Sequence, residues 1–208
     1  MSIEAQLESA CDPDDARRTL LIATSVAAAV PALSTFTALV RTFEPSERAK
    51  AAGAPVEVDI ADLAPGQMKT VEWRGKPVWI LRRTPDMLAS LKGVEGQLAD
   101  PASERNRDEM TPAYARNAHR SIRPEFLVAI GICTHLGCSP TAKFDHGPQP
   151  SLPDDWNGGF FCPCHGSTFD LAGRVFKNKP APENLQIPRH MYAGDTRLVI
   201  GKDEQGEA

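Results

Sequence analysis

The stretches CTHLGC at residues 133–138 and CPCHGS at residues 162–167 decide the fold of this chain of 208 residues. Each stretch contains two cysteines and one histidine within six residues. A metal site needs ligands from at least two segments to close around the ion, and two short loops can face each other to supply them. The sequence therefore predicts one metal centre held between two loops.

Two arrangements of the six candidate ligands fit this spacing. A tetrahedral zinc ion would use four of them and leave two thiols beside the metal without a role. A binuclear iron-sulfur centre would use one cysteine and one histidine from each loop and leave one cysteine in each loop. The residues alone leave both arrangements open.

The paired motif resembles the Rieske iron-sulfur subunits of bacterial cytochrome bc complexes, the ubiquinol-cytochrome c reductases. The resemblance implies one [2Fe-2S] cluster with Cys133 and Cys162 on one iron and His135 and His165 on the other. It further implies a disulfide between the two remaining cysteines, Cys138 and Cys164. The resemblance therefore predicts an iron-sulfur protein rather than a zinc-binding module.

The same resemblance implies roles for residues around the cluster. Ser167 would hydrogen-bond a cluster sulfide, and Leu136 with Gly137 would form the tip that docks on cytochrome b. His165 would be the catalytic residue, because its outer ring nitrogen would bind the hydroxyl of ubiquinol and take its proton. The segment from Gly173 through Pro180-Ala181-Pro182 resembles the proline loop that covers the cluster.

One position departs from the family pattern. Many members have a tyrosine where this chain has Phe169, and the tyrosine hydroxyl bonds the sulfur of a ligand cysteine. Loss of that donor removes a stabilising contact from the reduced, more negative cluster. We therefore expect a somewhat lower potential than in relatives with tyrosine.

The function implied by the resemblance is quinol oxidation within a membrane-embedded, proton-translocating complex, dimeric in the family. The subunit would take one electron from ubiquinol and pass it to a c-type cytochrome. The alternatives are a Rieske subunit of another exported oxidase and a Rieske ferredoxin. Nucleic acid is an unexpected partner, because the net charge is −4 and no basic stripe is present.

An uncharged run at residues 19–40 predicts a transmembrane anchor, because a helix of that length spans about 33 Å. Arg17-Arg18 before it resembles a twin-arginine export signal, within a cytoplasmic segment at residues 1–18. A cleaved signal peptide is the alternative. Together with a disulfide, which needs an oxidising compartment, these features predict a bacterial inner-membrane protein whose head lies in the periplasm.

The remaining chain predicts a tether and a mainly β head. Residues 41–55 are polar and rich in small residues, which favours a flexible tether. Residues 56–208 form the expected antiparallel β domain, with a cluster-binding part at about residues 126–182. Strands are predicted in eight runs, VEVDI at 56, TVEW at 70, PVWILRR at 77, FLVAIGIC at 126, FFCPC at 160, GRVFK at 173, LQIPR at 185 and TRLVIGK at 196.

An inserted helix and loop are predicted between the strands at residues 85–119. Thr84 is a candidate cap and Pro85 a first helical residue, followed by apolar residues at helical spacing. The charged stretch ADPASERNRDEM at 99–110 is expected to be a solvated surface. Cys11 is expected to be an idle thiol, and His119, His146 and His190 are expected to be surface or packing residues.

Overall fold

A computed structural model describes residues 13–105 and 107–207, so Cys11 and most of the predicted cytoplasmic segment lie outside the described residues. The chain divides after Lys50 into two units, which are described in turn.

The first unit contains the predicted anchor as helix α1, Pro13–Arg41. The helix begins earlier than the predicted span at residue 19, and it is long and apolar enough to cross a membrane. Its hydroxyl side chains donate to carbonyls of the preceding turn; Thr24 and Ser25, for example, bond Leu20 and Leu21. These bonds satisfy polar groups that would be costly in lipid.

A second helix, α2 at Glu47–Gly53, lies within the segment predicted as a tether. Its last residues belong to the second unit. Lys50 bonds Glu47 one turn earlier at 2.8 Å, a pairing that favours a helix in a short polar segment. The flexibility of residues 41–55 stays a prediction.

The second unit is built from short antiparallel strands, as predicted. The strands are β1 Val56–Asp59, β2 Met68–Trp73, β3 Lys76–Arg82, β4 Phe126–Ile130, β5 Thr141–Lys143, β6 Gly159–Phe161, β7 Thr168–Phe169, β8 His190–Tyr192, β9 Arg197–Ile200, β10 Lys202–Asp203 and β11 Gly206–Glu207. One sheet has the order β1-β9-β8, a second the order β2-β3-β4 and a third the order β5-β6-β7, and β10-β11 is a separate hairpin.

The sheet β2-β3-β4 separates two hydrophobic cores. Along β3, Val78 and Ile80 belong to one core, while Trp79 and Leu81 belong to the other. Successive side chains of a strand point to opposite faces, so a strand between two cores must be apolar throughout. This explains why β4 is the uninterrupted run FLVAI, in which every residue is buried.

The predicted helical insertion is confirmed between β3 and β4. Helix α3, Pro85–Gly93, begins after Thr84, whose Oγ1 accepts a hydrogen bond from the Met87 amide at 3.2 Å. Met87 and Leu91 are buried in the same core as Trp79. Short helical turns follow: Glu95–Gln97, α4 at Arg107–Met110, and Ala113–Ala115.

Three sequence expectations were wrong. The runs at 173 and 185 are not strands. The run at 173 makes only isolated antiparallel bridges, Val175 with Phe169 and Phe176 with Leu98, because the Arg174 amide bonds the Asp170 carboxylate instead. In the run at 185 the Ile187 amide bonds the Met110 carbonyl. The charged stretch at 99–110 is not wholly solvated, because Asp100 and Ser103 are buried. The Asp100 carboxylate accepts bonds from two backbone amides of its own turn, which explains its burial.

The buried His190 is expected to make the free energy of unfolding depend on pH. Burial lowers the pKa of His190 to about 4, although the carbonyl of Pro188 and the carboxylate of Asp203 oppose the shift. Below about pH 6.5 the unfolded chain binds a proton at His190, whereas the folded chain does not bind it until about pH 4. The free energy of unfolding therefore decreases as the pH is lowered from about 6.5 to about 4. Between pH 7 and pH 5 the loss from this one group is about 2 kcal/mol.

We expect His190→Gln to reduce this loss. Urea unfolding of the cluster-loaded full chain in detergent, compared at pH 7 and pH 5, measures it, with the exposed His146→Gln as control. The same pH dependence in the wild-type and His190→Gln proteins would contradict the assignment.

Candidate iron-sulfur site

The first cluster loop connects β4 to β5 and turns tightly at its centre. The amide of Cys133 donates to the carbonyl of Cys138 at 2.7 Å, and the amide of Gly137 donates back to the carbonyl of Cys133 at 3.0 Å. Gly137 has a φ of 81°, which a residue without a Cβ adopts readily. The turn fixes Cys133 at its start and leaves Leu136 at its tip, 71% exposed.

The second cluster loop connects β6 to β7 and has the same bonding. The amide of Cys162 donates to the carbonyl of Ser167 at 2.8 Å, and the amide of Gly166 donates to the carbonyl of Cys162 at 2.9 Å. Gly166 has a φ of 76°. The two loops differ in sequence but form equivalent turns. Each turn carries a cysteine and a histidine, which are two residues apart in the first loop and three residues apart in the second.

The predicted disulfide between Cys138 and Cys164 is confirmed and joins the two loops covalently. The sulfur atoms of Cys138, Cys162 and Cys164 lie within 4.8 Å of one another. These three do not form a metal-binding set, because two of them are consumed by the disulfide. Their proximity shows instead that the disulfide lies directly beside the free thiol of Cys162.

The free thiols of the described residues are Cys133 and Cys162, and both are buried. Burial raises the pKa of the Cys133 thiol, and the neighbouring Cys162 thiol raises it further. The amide of His135 and the hydroxyl of Ser167 donate to the same sulfur and lower the pKa. The two thiols therefore influence each other, and the groups that lower the pKa of Cys133 favour negative charge on its sulfur.

The two histidines of the motif also meet. The ring centroids of His135 and His165 are 4.8 Å apart and their planes are nearly perpendicular, at 88°. His135 is half-buried, whereas His165 is exposed. The structure thus brings the four predicted ligands together as a buried pair of thiols and a more accessible pair of imidazoles.

A third segment, residues 174–184 and here called the cover segment, is bonded to both loops. The amide of Ala181 donates to Ser167 Oγ at 3.0 Å, and Thr134 Oγ1 donates to the carbonyl of Glu183 at 2.6 Å. Ser167 Oγ accepts from Ala181, so its own proton is available for the sulfur of Cys133. The sequence placed Ala181 in the loop expected to cover the cluster but gave no sign of its bond to Ser167, and it missed Thr134, because neither residue carries metal-binding chemistry.

This donor set fits a [2Fe-2S] cluster with mixed ligands. Two thiols and two imidazoles converge from two loops, which is the ligand composition that distinguishes Rieske centres from all-cysteine clusters. Two facing loops that offer these donors at one end of a small antiparallel β domain define an iron-sulfur protein of the Rieske class.

Comparison with known proteins agrees with this class. The Rieske [2Fe-2S] domain family matches residues 55–189. The iron-sulfur subunit of ubiquinol-cytochrome c reductase from Allochromatium vinosum is 57% identical over 187 residues, 90% of this chain and 88% of that protein. The corresponding subunit from Bradyrhizobium diazoefficiens is 38% identical, over 93% of this chain and 98% of that protein. The chain belongs to the Rieske family, among the ubiquinol-cytochrome c reductase iron-sulfur subunits.

Removal of the disulfide is expected to loosen the site. The Cys138→Ala/Cys164→Ala protein lacks the covalent link between the loops, and loss of a native disulfide from a small domain costs about 2–5 kcal/mol. We expect the cluster to be lost at a lower temperature, measured by its visible circular dichroism during a thermal ramp. An unchanged midpoint of cluster loss would contradict this role.

Phe169→Tyr is expected to raise the cluster's reduction potential. Phe169 is fully buried in the same core as both free cysteines, and a hydroxyl that donates to a ligand sulfur favours the reduced state. One hydrogen bond corresponds to roughly 20–60 mV for a one-electron couple. Phe160→Tyr, an equally buried ring on the adjacent strand, is the matched control for voltammetry. An equal or lower potential in Phe169→Tyr would refute the prediction.

Proposed function

We propose that this chain is the electron-carrying subunit of a ubiquinol-cytochrome c reductase. It takes one electron and one proton from ubiquinol and delivers the electron to a c-type cytochrome, in a complex that contributes to proton translocation. The observation that supports this most directly is the pair of imidazoles, one of them exposed, beside a strongly exposed leucine at the tip of the site.

We assign Cys133, His135, Cys162 and His165 as the cluster ligands. When bound, the cluster supplies a one-electron acceptor, and two neutral imidazoles in place of thiolates raise its potential. Burial of the two thiols excludes water from the sulfur side of the site. The Ser167 hydroxyl and the His135 amide stabilise negative charge on Cys133.

We assign the catalytic proton transfer to His165. Its exposure leaves the ring nitrogen that does not ligate iron open to a quinol hydroxyl. When this nitrogen carries no proton, it would accept a hydrogen bond from the hydroxyl, and His165 would hold the proton after the transfer. His135 is half-buried, and its neighbour Thr134 is bonded to the cover segment.

The docking surface on cytochrome b is proposed to be the tip formed by Leu136 and Gly137. Leu136 is 71% exposed, which is unusual for a leucine in a head whose other large apolar side chains are mostly buried. An apolar tip next to an exposed imidazole can enter a quinol pocket and exclude water from the reacting hydroxyl.

The proposed location is the bacterial inner membrane, with a single span and the head in the periplasm. The apolar α1 supports one anchor, the Arg17-Arg18 pair supports export, and the disulfide supports an oxidising compartment. Residues 41–55 are proposed to connect anchor and head flexibly enough for the head to reach both cytochromes, in a dimeric complex as in the family.

A substitution at the tip tests this function. We expect Leu136→Asp to slow cluster reduction by quinol about tenfold or more, because a carboxylate opposes insertion into an apolar pocket. Reduction by dithionite and the potential should stay as in wild type. Freeze-quench EPR on purified complex, which must contain b-type haem, measures the rate.

The control for this test is Ile122→Asp, which places the same charge on another exposed apolar residue of the head, 41% exposed. Equal slowing in both variants, or none in Leu136→Asp, would contradict docking by the tip. Failure of a quinol-site inhibitor to change the EPR spectrum of reduced wild-type membranes would contradict quinol contact itself.

A further inference from the structure

Arg120 is fully buried, and its guanidinium binds backbone carbonyls at both ends of the cover segment. Nη1 donates to the carbonyls of Ala172 and Gly173, both at 3.1 Å, and Nη2 donates to the carbonyl of Leu185 at 2.7 Å. These carbonyls belong to the residues that enter and leave residues 174–184. One planar side chain therefore closes both ends of the segment.

The remaining donors of Arg120 are fixed by the inserted loop. Nε donates to Ser103 Oγ at 2.8 Å, and Nη2 also donates to Thr111 Oγ1 at 2.7 Å. Asn184 adds a second connection, because its Oδ1 accepts from the Val175 amide and its Nδ2 donates to Ser103. The helical insertion thus holds the cover segment through groups that sequence reasoning placed on a solvated surface.

Gly173 shows how closely this arrangement is packed. Its φ is 70°, and a Cβ at this position would lie 3.2 Å from both Arg120 Nη1 and Leu185 Cβ. A buried guanidinium is costly unless its donors are paired, so the site favours the one geometry that pairs them.

The cover segment passes this constraint to the cluster loops. Ala181 lies four residues before Leu185, and its amide bonds Ser167 Oγ. Ser167 closes the second cluster loop, because its carbonyl accepts from the Cys162 amide at 2.8 Å, and its side chain lowers the pKa of the Cys133 thiol. A continuous series of contacts therefore runs from Arg120 through the cover segment and Ser167 to the loop of a proposed ligand.

We propose that Arg120 is a positioning residue that sets the reduction potential of the cluster by holding the cover segment so that Ser167 donates to Cys133. Without this hold, the Ala181 amide no longer fixes the Ser167 hydroxyl, and the reduced cluster loses part of a hydrogen bond. This inference rests on the ligands proposed above but not on quinol oxidation.

The test uses Arg120→Lys, which keeps the positive charge but loses the planar set of donors. We expect about a five-fold shift of the one-electron equilibrium toward the oxidised cluster, about 40 mV at 59 mV per tenfold. In a Ser167→Ala background the same substitution should shift the equilibrium less than about two-fold, because Ser167 transmits the effect. Iron content and EPR spin quantification of the full complex precede voltammetry.

Arg83→Lys is the matched control. Arg83 is also buried and binds the carbonyls of Pro124, His119, Phe126 and Leu171; its contact with Leu171 lies directly before the segment that Arg120 holds, and it has no bond to residues 172–185. We expect it to leave the equilibrium within about two-fold of wild type. Hydrogen exchange of the peptide covering residues 176–184 should rise in Arg120→Lys and not in Arg83→Lys.

Each outcome decides the proposal. An unchanged potential in Arg120→Lys with full cluster content overturns it, because the charge alone then suffices. An equal shift in the Ser167→Ala background also overturns it. If Arg120→Lys fails to assemble, Ser103→Ala removes the hydroxyl shared by Arg120 and Asn184 and must show the same dependence on Ser167. A wild-type protein without a mixed-ligand cluster would instead refute the proposed ligands.

Discussion

The covalent bond between Cys138 and Cys164 is the constraint on which the candidate site depends. The loops begin on different sheets, one after β4 and the other after β6, and the bond holds them side by side. Each loop contributes only one thiol and one imidazole, so neither can bind the cluster alone. The backbone bonds within each turn fix the local geometry, while the disulfide fixes the geometry between the turns.

The chemistry of the site was predictable because it is local. Ligand types and their spacing are properties of six-residue stretches, and the cap of α3 by Thr84 is a property of the four residues 84–87. The pairing of Cys138 with Cys164 came from the family resemblance rather than from spacing. The strands β5 and β7 were not predicted, because two or three residues are too few to show an alternating pattern.

The part of the site that was not predictable depends on distant residues. Arg120 bonds carbonyls 52 to 65 residues away, and no local pattern separates such an arginine from one in solvent. Asp100 and Ser103 lie in a stretch whose composition indicates a surface, yet they are buried among the groups that hold the cover segment. The nearest signal in the sequence is Gly173, whose missing side chain leaves room for the guanidinium.

The matching turns around Cys133 and Cys162 have a consequence for the two imidazoles. The same pair of amide bonds and the same left-handed glycine recur in both loops, so the two turns are locally equivalent. The histidines occupy different positions of that turn: His135 is the second residue after its cysteine, and His165 is the third, the position that Leu136 holds in the other loop. Leu136 and His165 are both exposed while His135 is half-buried, so a one-residue difference in spacing decides which imidazole is accessible.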